Sequence, residues 1–205
     1  MGMNITRYPL GTLQTNCYFL VKDDACLIID PGDSADFLLE QLQRSRLDLV
    51  GLLATHGHFD HIMAVGEIQL SFSIPLYINS RDSFLLQRVS STAKHFLGFE
   101  PHVVPIKNIV ALPSGSFIIP PFHFEVIETP GHTPGSCSFY FKDEGVVFTG
   151  DTLFKDGIGD FSHAYSSKKN LEISLFKLAS LPAETIVYPG HGDDTILADE
   201  QVDNR

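Results

Sequence analysis

Three histidines and one aspartate fall within six residues of the chain: His56, His58, Asp60 and His61, in the segment THGHFDH. Imidazole nitrogens and carboxylate oxygens at this density are the ligand types that suit a zinc-like cation in a catalytic site. Residues two apart in an extended segment point the same way. His56, His58 and Asp60 therefore share one side of the loop, and Phe59 turns away into apolar packing. His61 begins the following helix and turns towards a second position. Three further blocks offer single candidates: His132 in TPGHTPGS (129–136), Asp151 in TGDTLF (149–154) and His191 in YPGHG (188–192). All four blocks carry a glycine within two residues before a candidate ligand, where it permits a tight turn that aims a side chain into a cleft.

Each block sits at the end of a strand candidate or in the turn after it. Asn16 to Val21 and Ala25 to Asp30 read as strands, and Pro31-Gly32-Asp33 stops the second. Asp33 or Ser34 then caps a helix over Ala35 to Arg44, with Phe37, Leu38 and Leu42 on one face. Leu49 to Ala54 is a continuous apolar run, as expected of a strand buried on both faces, and it leads directly into THGHFDH. A helix is predicted from Asp60 through IMAVGEIQLSF, a short strand at Pro75 to Ile78, and a helix over Arg81 to Phe96. In the second half, strands are expected at Ser116 to Ile119, Phe122 to Ile127, Cys137 to Phe141, Val146 to Thr149 and Thr185 to Tyr188, with a helix over Lys168 to Leu178. Loops after buried strands are where a rigid scaffold places function.

Composition narrows the function classes. The 205 residues suit one domain spanning 1–205, and 43% are apolar, sixteen of them Phe, enough for a sizeable core. No apolar run approaches the roughly twenty residues that span a bilayer, and the first residues lack a secretory signal. The three cysteines, Cys17, Cys26 and Cys137, form no disulfide framework. A cytoplasmic setting is expected. The net charge of −11 disfavours nucleic acid as the substrate. The expected partner is a small-molecule substrate, with no nucleic acid and no membrane; the oligomeric state is left open.

HxHxDH, a distant His after Pro-Gly, then TGD, then PGH resembles the pattern of the metallo-β-lactamase superfamily across essentially the whole chain. DPG, TPGHTPGS, TGDTLF and VYPGHG look most like its hydroxyacylglutathione hydrolase (glyoxalase II) branch and the short, single-domain relatives of that branch. The resemblance implies an α+β fold, a four-layer αββα sandwich with two β-sheets flanked by helices. It also implies two divalent metal ions, zinc first, with iron or manganese acceptable to the same ligands. His56, His58 and His132 would hold the first ion and Asp60, His61 and His191 the second, with Asp151 bridging both. Asp60 and Asp151 are then the candidate catalytic carboxylates. The nucleophile expected is a hydroxide bridging the ions, because zinc lowers the pKa of water from about 15.7 towards 7. Thr55, Thr129 and Thr149 are candidate partners that orient the ligands.

The expected activity is hydrolysis of a small thioester of the hydroxyacyl-thiol kind, since a thiolate leaves without protonation. Two departures bear on glutathione. The chain ends soon after the last ligand, without the C-terminal helical region of glyoxalase II. Asp160 and Ser162, in GIGDFSHAY, stand where that branch carries a basic residue and a tyrosine. Lys155, His163 and Tyr165 are the candidate substrate-binding residues. The alternatives are a mononuclear iron persulfide dioxygenase using the first site, and a lactonase or phosphodiesterase. His95, His102 and His123 fall outside the blocks and are read as ordinary histidines.

Overall fold

The computed structural model of the protein describes residues 2–200. The first half builds a six-stranded sheet from β1 (Asn4–Leu10), β2 (Thr15–Lys22), β3 (Ala25–Ile29), β4 (Asp48–Leu53), β5 (Leu76–Ile78) and β6 (Ile109–Ala111), in that spatial order. β1 to β3 are antiparallel and β3 to β6 parallel. The second half builds another from β7 (Gly115–Ile119), β8 (Phe122–Glu128), β9 (Cys137–Phe141), β10 (Val146–Gly150), β13 (Ile186–Pro189) and β14 (Thr195–Ile196), ordered β14-β13-β10-β9-β8-β7. A small ribbon of β11 (Leu153–Phe154) and β12 (Gly157–Ile158) follows β10.

Alternation along the strands creates the layers. Tyr18 and Leu20 of β2, Leu27 and Ile29 of β3, and Phe139, Phe141 and Phe148 of the second sheet pack between the sheets. The residues between them face outwards. Cys17, Phe19, Cys26 and Ile28 meet α1 (Ala35–Ser45), α2 (Phe59–Ile62), α3 (Val65–Ser71) and α5 (Val89–Leu97). Tyr140 and Val147 meet α6 (Lys168–Ala179) through Leu171, Leu175 and Leu178. A side-chain period of two on strands buried on both faces thus yields the four-layer αββα sandwich expected. All three cysteines are buried and free. No described helix is long and apolar enough to cross a membrane.

Several local expectations need correction. β1 and β6 carried no prediction; β1 contains Pro9 and both strands lie at the edges of their sheet. The helix expected from Asp60 to Phe72 is two helices, because the Ala64 N–H donates to Pro31 O at 3.1 Å instead of continuing the helical ladder. The helix expected over Arg81 to Phe96 is likewise divided into a 3₁₀ turn (Ser80–Asp82), α4 (Ser83–Leu86) and α5. Ser34 stands at the N-cap of α1 as expected, but no side-chain cap bond forms. Ser34 is left-handed, and Asp33 accepts its N–H and hydroxyl instead.

The Pro31–Gly32 turn lies hard against the first turn of α2. A Cβ on Gly32 would fall 1.5 Å from Asp60 O. Both elements are buried backbone, so neither can yield cheaply. Gly32→Ala is expected to lower the unfolding free energy by about 3 kcal/mol, measured by urea denaturation. A change under about 0.5 kcal/mol, the usual range for a surface substitution, would contradict this packing.

Candidate metal centre

The two sheets deliver their loops to one edge. β3 and β4 run parallel, with Ile29 beside Leu53, so Asp30 and the Thr55–His61 segment leave the first sheet at the same end. β10 and β13 are also parallel, so Asp151 and His191 leave the second sheet together. The Gly190 N–H donates to Gly150 O at 2.8 Å, and the Asn16 N–H to Gly190 O at 2.7 Å, which ties both ends to β2. His132 comes from the turn between β8 and β9.

These loops bring all seven candidate ligands into one cluster. Three groups have their ligand atoms within 4.8 Å of one another: His56, His58 and His132; Asp60, His61 and His191; and, linking them, His56, His61 and Asp151. Asp151 reaches both sides. Its Oδ1 is 3.4 Å from His61 Nε2, and its Oδ2 is 3.5 Å from His132 Nε2 and 3.7 Å from His191 Nε2. His191 Nε2 is 3.3 Å and His61 Nε2 3.6 Å from Asp60 Oδ2. Zinc–ligand bonds of about 2.0–2.1 Å in a tetrahedron set ligand atoms roughly 3.4 Å apart, so these separations fit shared cations.

Two further observations test that fit. Four buried side-chain nitrogen and oxygen atoms among the described residues have no hydrogen-bond partner, and three are here: His56 Nε2, His61 Nε2 and Asp151 Oδ1. Orphaned buried polar atoms are costly unless something satisfies them. Each histidine also has its other ring nitrogen engaged. His61 Nδ1–H donates to Asp30 at 2.9 Å, His132 Nδ1–H to Asp160 O at 2.7 Å and His191 Nδ1–H to Leu13 O at 3.1 Å. His56 Nδ1 meets Thr55 Oγ1 at 3.1 Å, and His58 Nε2 meets Tyr165 Oη at 2.8 Å. Holding one nitrogen fixes the tautomer and aims the other. The residues therefore fit a pair of divalent cations.

The electrostatics divide the cluster. Burial, then the His61 and His58 rings, hold His56 well below the usual imidazole range. Burial and His132 push His58 down to about 3. Both imidazoles stay neutral, as metal ligands must. On the other side burial opposes charge on His61, yet Asp151, Asp60 and Asp30 together hold it well above that range. Burial likewise works against ionised Asp60, but His61 and hydrogen bonds from His191 and Thr15 bring it down to about 2. This second half of the cluster is an acidic pocket that demands positive charge.

The metallo-β-lactamase superfamily profile matches residues 10–191. The chain belongs to that superfamily. The probable metallo-hydrolase YqgX of Bacillus subtilis is 38% identical over 204 residues, covering 98% of this chain and 96% of that one. Hydroxyacylglutathione hydrolase GloC of Haemophilus influenzae is 33% identical over 213 residues, covering 98% and 97%. The crystal structure of BLEG-1 B3 metallo-β-lactamase superposes with a TM-score of 0.89 at 36% identity, covering 96% and 95%. The protein is thus a metal-dependent hydrolase of the metallo-β-lactamase superfamily, with the two mixed sheets and flanking helices of that fold.

Around this metallo-β-lactamase centre opens a cleft of about 330 Å³, lined by Leu13, Phe59, Thr92, Phe96, His163 and Tyr165 beside the ligands. His163 stacks on Tyr165 (centroids 5.2 Å, 16°) and lies 5.3 Å from the His58 ring. Lys155 is elsewhere: it is exposed at the turn of the β11–β12 ribbon and does not line the cleft. Thr55 does touch ligands, but Thr129 bonds Ser138 and Thr152, and Thr149 bonds Leu153 O. His95, His102 and His123 are exposed and lie outside the cluster.

Three supporting residues were given no role at the site by the sequence reading. Asp30 accepts from His61, the Thr55 N–H and the Thr55 hydroxyl. Thr15 donates to Asp60 Oδ2 at 2.8 Å. Asp82, fully buried, accepts from the Gly57 N–H (2.8 Å), the Gly135 N–H (2.7 Å) and the Thr133 hydroxyl (2.7 Å). It staples the His56–His58 loop to the His132 loop. Asp82→Asn places an amide where one of three donors needs an acceptor, which is expected to cost about 2 kcal/mol of stability. Metal occupancy of the His56–His58–His132 group should fall before that of its neighbour. Equal weakening of both, by metal titration, would reduce Asp82 to general packing.

Proposed function

We propose that the protein hydrolyses a small thioester of the hydroxyacyl-thiol kind, using two divalent cations. His56, His58 and His132 would hold one, Asp60, His61 and His191 the other, and Asp151 both. The observation that carries this is the orphaned trio His56 Nε2, His61 Nε2 and Asp151 Oδ1 at the centre of a cluster with two complete ligand groups. The second group supports a dinuclear hydrolase over the mononuclear dioxygenase. When bound, the two ions supply positive charge for a carbonyl oxygen and a water of lowered pKa.

The side chains do the rest. No serine or cysteine lines the cleft, which favours water over a protein nucleophile. Asp60, fixed by the Thr15 hydroxyl, would help to hold an ion and to orient a water beside it. With Nδ1 holding a cation, the His58 Nε2–H would donate its hydrogen bond to Tyr165 Oη, 2.8 Å away. The hydroxyl proton of Tyr165 is then left for a substrate oxygen. A thiolate departs unprotonated, so a thioester asks least of the cleft in proton transfer to the leaving group. The likeness to GloC supports the same reading.

The test is a panel of S-lactoylglutathione, an uncharged lactoyl thioester, a simple lactone, a β-lactam and a phosphodiester, assayed with the metal-loaded protein. Thiol release from a lactoyl thioester is expected to be the fastest reaction. No thiol release, with turnover of another class, overturns the thioester reading.

A further inference from the structure

Resting on the thioester reading, we infer that the thiol arm of the substrate is uncharged and apolar, and that glutathione's carboxylates are excluded. The lining decides this. Phe96 is 57% and Leu13 41% exposed, and both flank the cleft. Phe96 is held in place by stacking on Phe59 (centroids 5.9 Å, 21°). Exposed apolar side chains grouped at a cleft rim mark a surface that another apolar group covers. The aromatic pair Tyr165 and His163 extends the same character along the cleft.

The charge around this rim has one sign. Apart from Asp60 and Asp151 within the cluster, the charged residue lining the cleft is Asp160. Its carboxylate accepts the Ser162 N–H at 2.9 Å and the Ser162 hydroxyl at 2.7 Å, which fix it at the rim. No lysine or arginine lines the cleft. Arg88 is placed over the Phe84 ring at 6.0 Å, and Lys168 over the Phe161 ring at 5.9 Å and 3.9 Å from Glu172. A tripeptide arm of net negative charge would meet Asp160 with no lysine or arginine side chain in the lining to receive its carboxylates. An uncharged arm would gain the Phe96–Leu13 surface and lose nothing.

The experiment compares two thioesters with the same acyl group, S-lactoylglutathione and S-lactoyl-N-acetylcysteamine, on the metal-loaded protein. The uncharged thioester should have the higher kcat/KM by about tenfold. Raising the salt screens exposed charges, so kcat/KM for the glutathione thioester should climb several-fold while that for the uncharged one stays level. Asp160→Lys should move the ratio about tenfold towards glutathione. Phe96→Ala should raise KM for the uncharged thioester more than it lowers kcat, as loss of uniform binding does. Both positions are exposed, and the salt series needs no variant at all. A preference for the glutathione thioester, with no salt effect, overturns the inference and leaves the thioester reading standing. Thiol release from neither substrate overturns both.

Discussion

Asp151→Asn is expected to reduce turnover by about a hundred- to a thousandfold, the scale seen when a preorganised electrostatic group is removed, and to leave fewer than two metal ions per chain. Asp151 is the side chain within reach of both ligand groups, with Oδ1 facing His61 and Oδ2 facing His132 and His191. Asparagine keeps the size but presents an NH₂ group to one of these imidazoles, whose lone pairs are needed for the cation. It also removes a negative charge from a pocket whose paired charges offset one another. Burial opposes ionisation of Asp151, yet His61 holds its pKa well below the usual range. The check is metal content and kcat on the purified variant, with circular dichroism to establish that it folds. A folded variant holding two ions and more than about a tenth of wild-type activity would remove Asp151 from the centre.

The second large effect is expected at Asp30, which touches no substrate. One carboxylate satisfies the Thr55 N–H, the Thr55 hydroxyl and His61 Nδ1–H. Because the Thr55 hydroxyl donates to Asp30, its oxygen is free to accept from His56 Nδ1. Asp30 thus orients a histidine of each ligand group. Asp30→Ala leaves three buried donors unpaired. Partners that orient metal ligands are typically worth 10–100-fold in metal affinity, and orphaned buried groups about 1–3 kcal/mol each. Asp30→Ala should therefore lose about 3 kcal/mol or more of stability and at least tenfold in metal affinity, measured by denaturation and chelator competition. Unchanged metal affinity would show that His61 and His56 need no such support.

These two residues show what spacing along the chain could and could not reveal. Asp60 and His61 stand next to His56 and His58, so a motif four ligands dense was visible without any fold. The layers were visible too, because β2, β3 and β4 are nearly continuous apolar runs. Asp30 and Asp82 gave no such signal. Each acts on loops 25 or more residues away, as the Asp30–Thr55 and Asp82–Gly135 bonds show, and a single buried aspartate has no period. Asp30 did carry a weaker clue, an acid at the inner end of an apolar strand just before Pro-Gly. The break at Ala64 was invisible for a related reason. The helical pattern through IMAVGEIQL is sound locally, but a backbone bond to Pro31 O wins. The charge of Lys155 carries no information about position, and it stands exposed at the ribbon's turn, outside the cleft lining.

The central claim is that seven side chains from both sheets assemble a pair of cation sites. Elemental analysis of the freshly purified protein, paired with circular dichroism, tests it most directly. Two divalent metal ions per folded chain are expected, with activity lost on chelation and regained on adding metal. A folded, active protein containing no divalent metal would contradict the account outright.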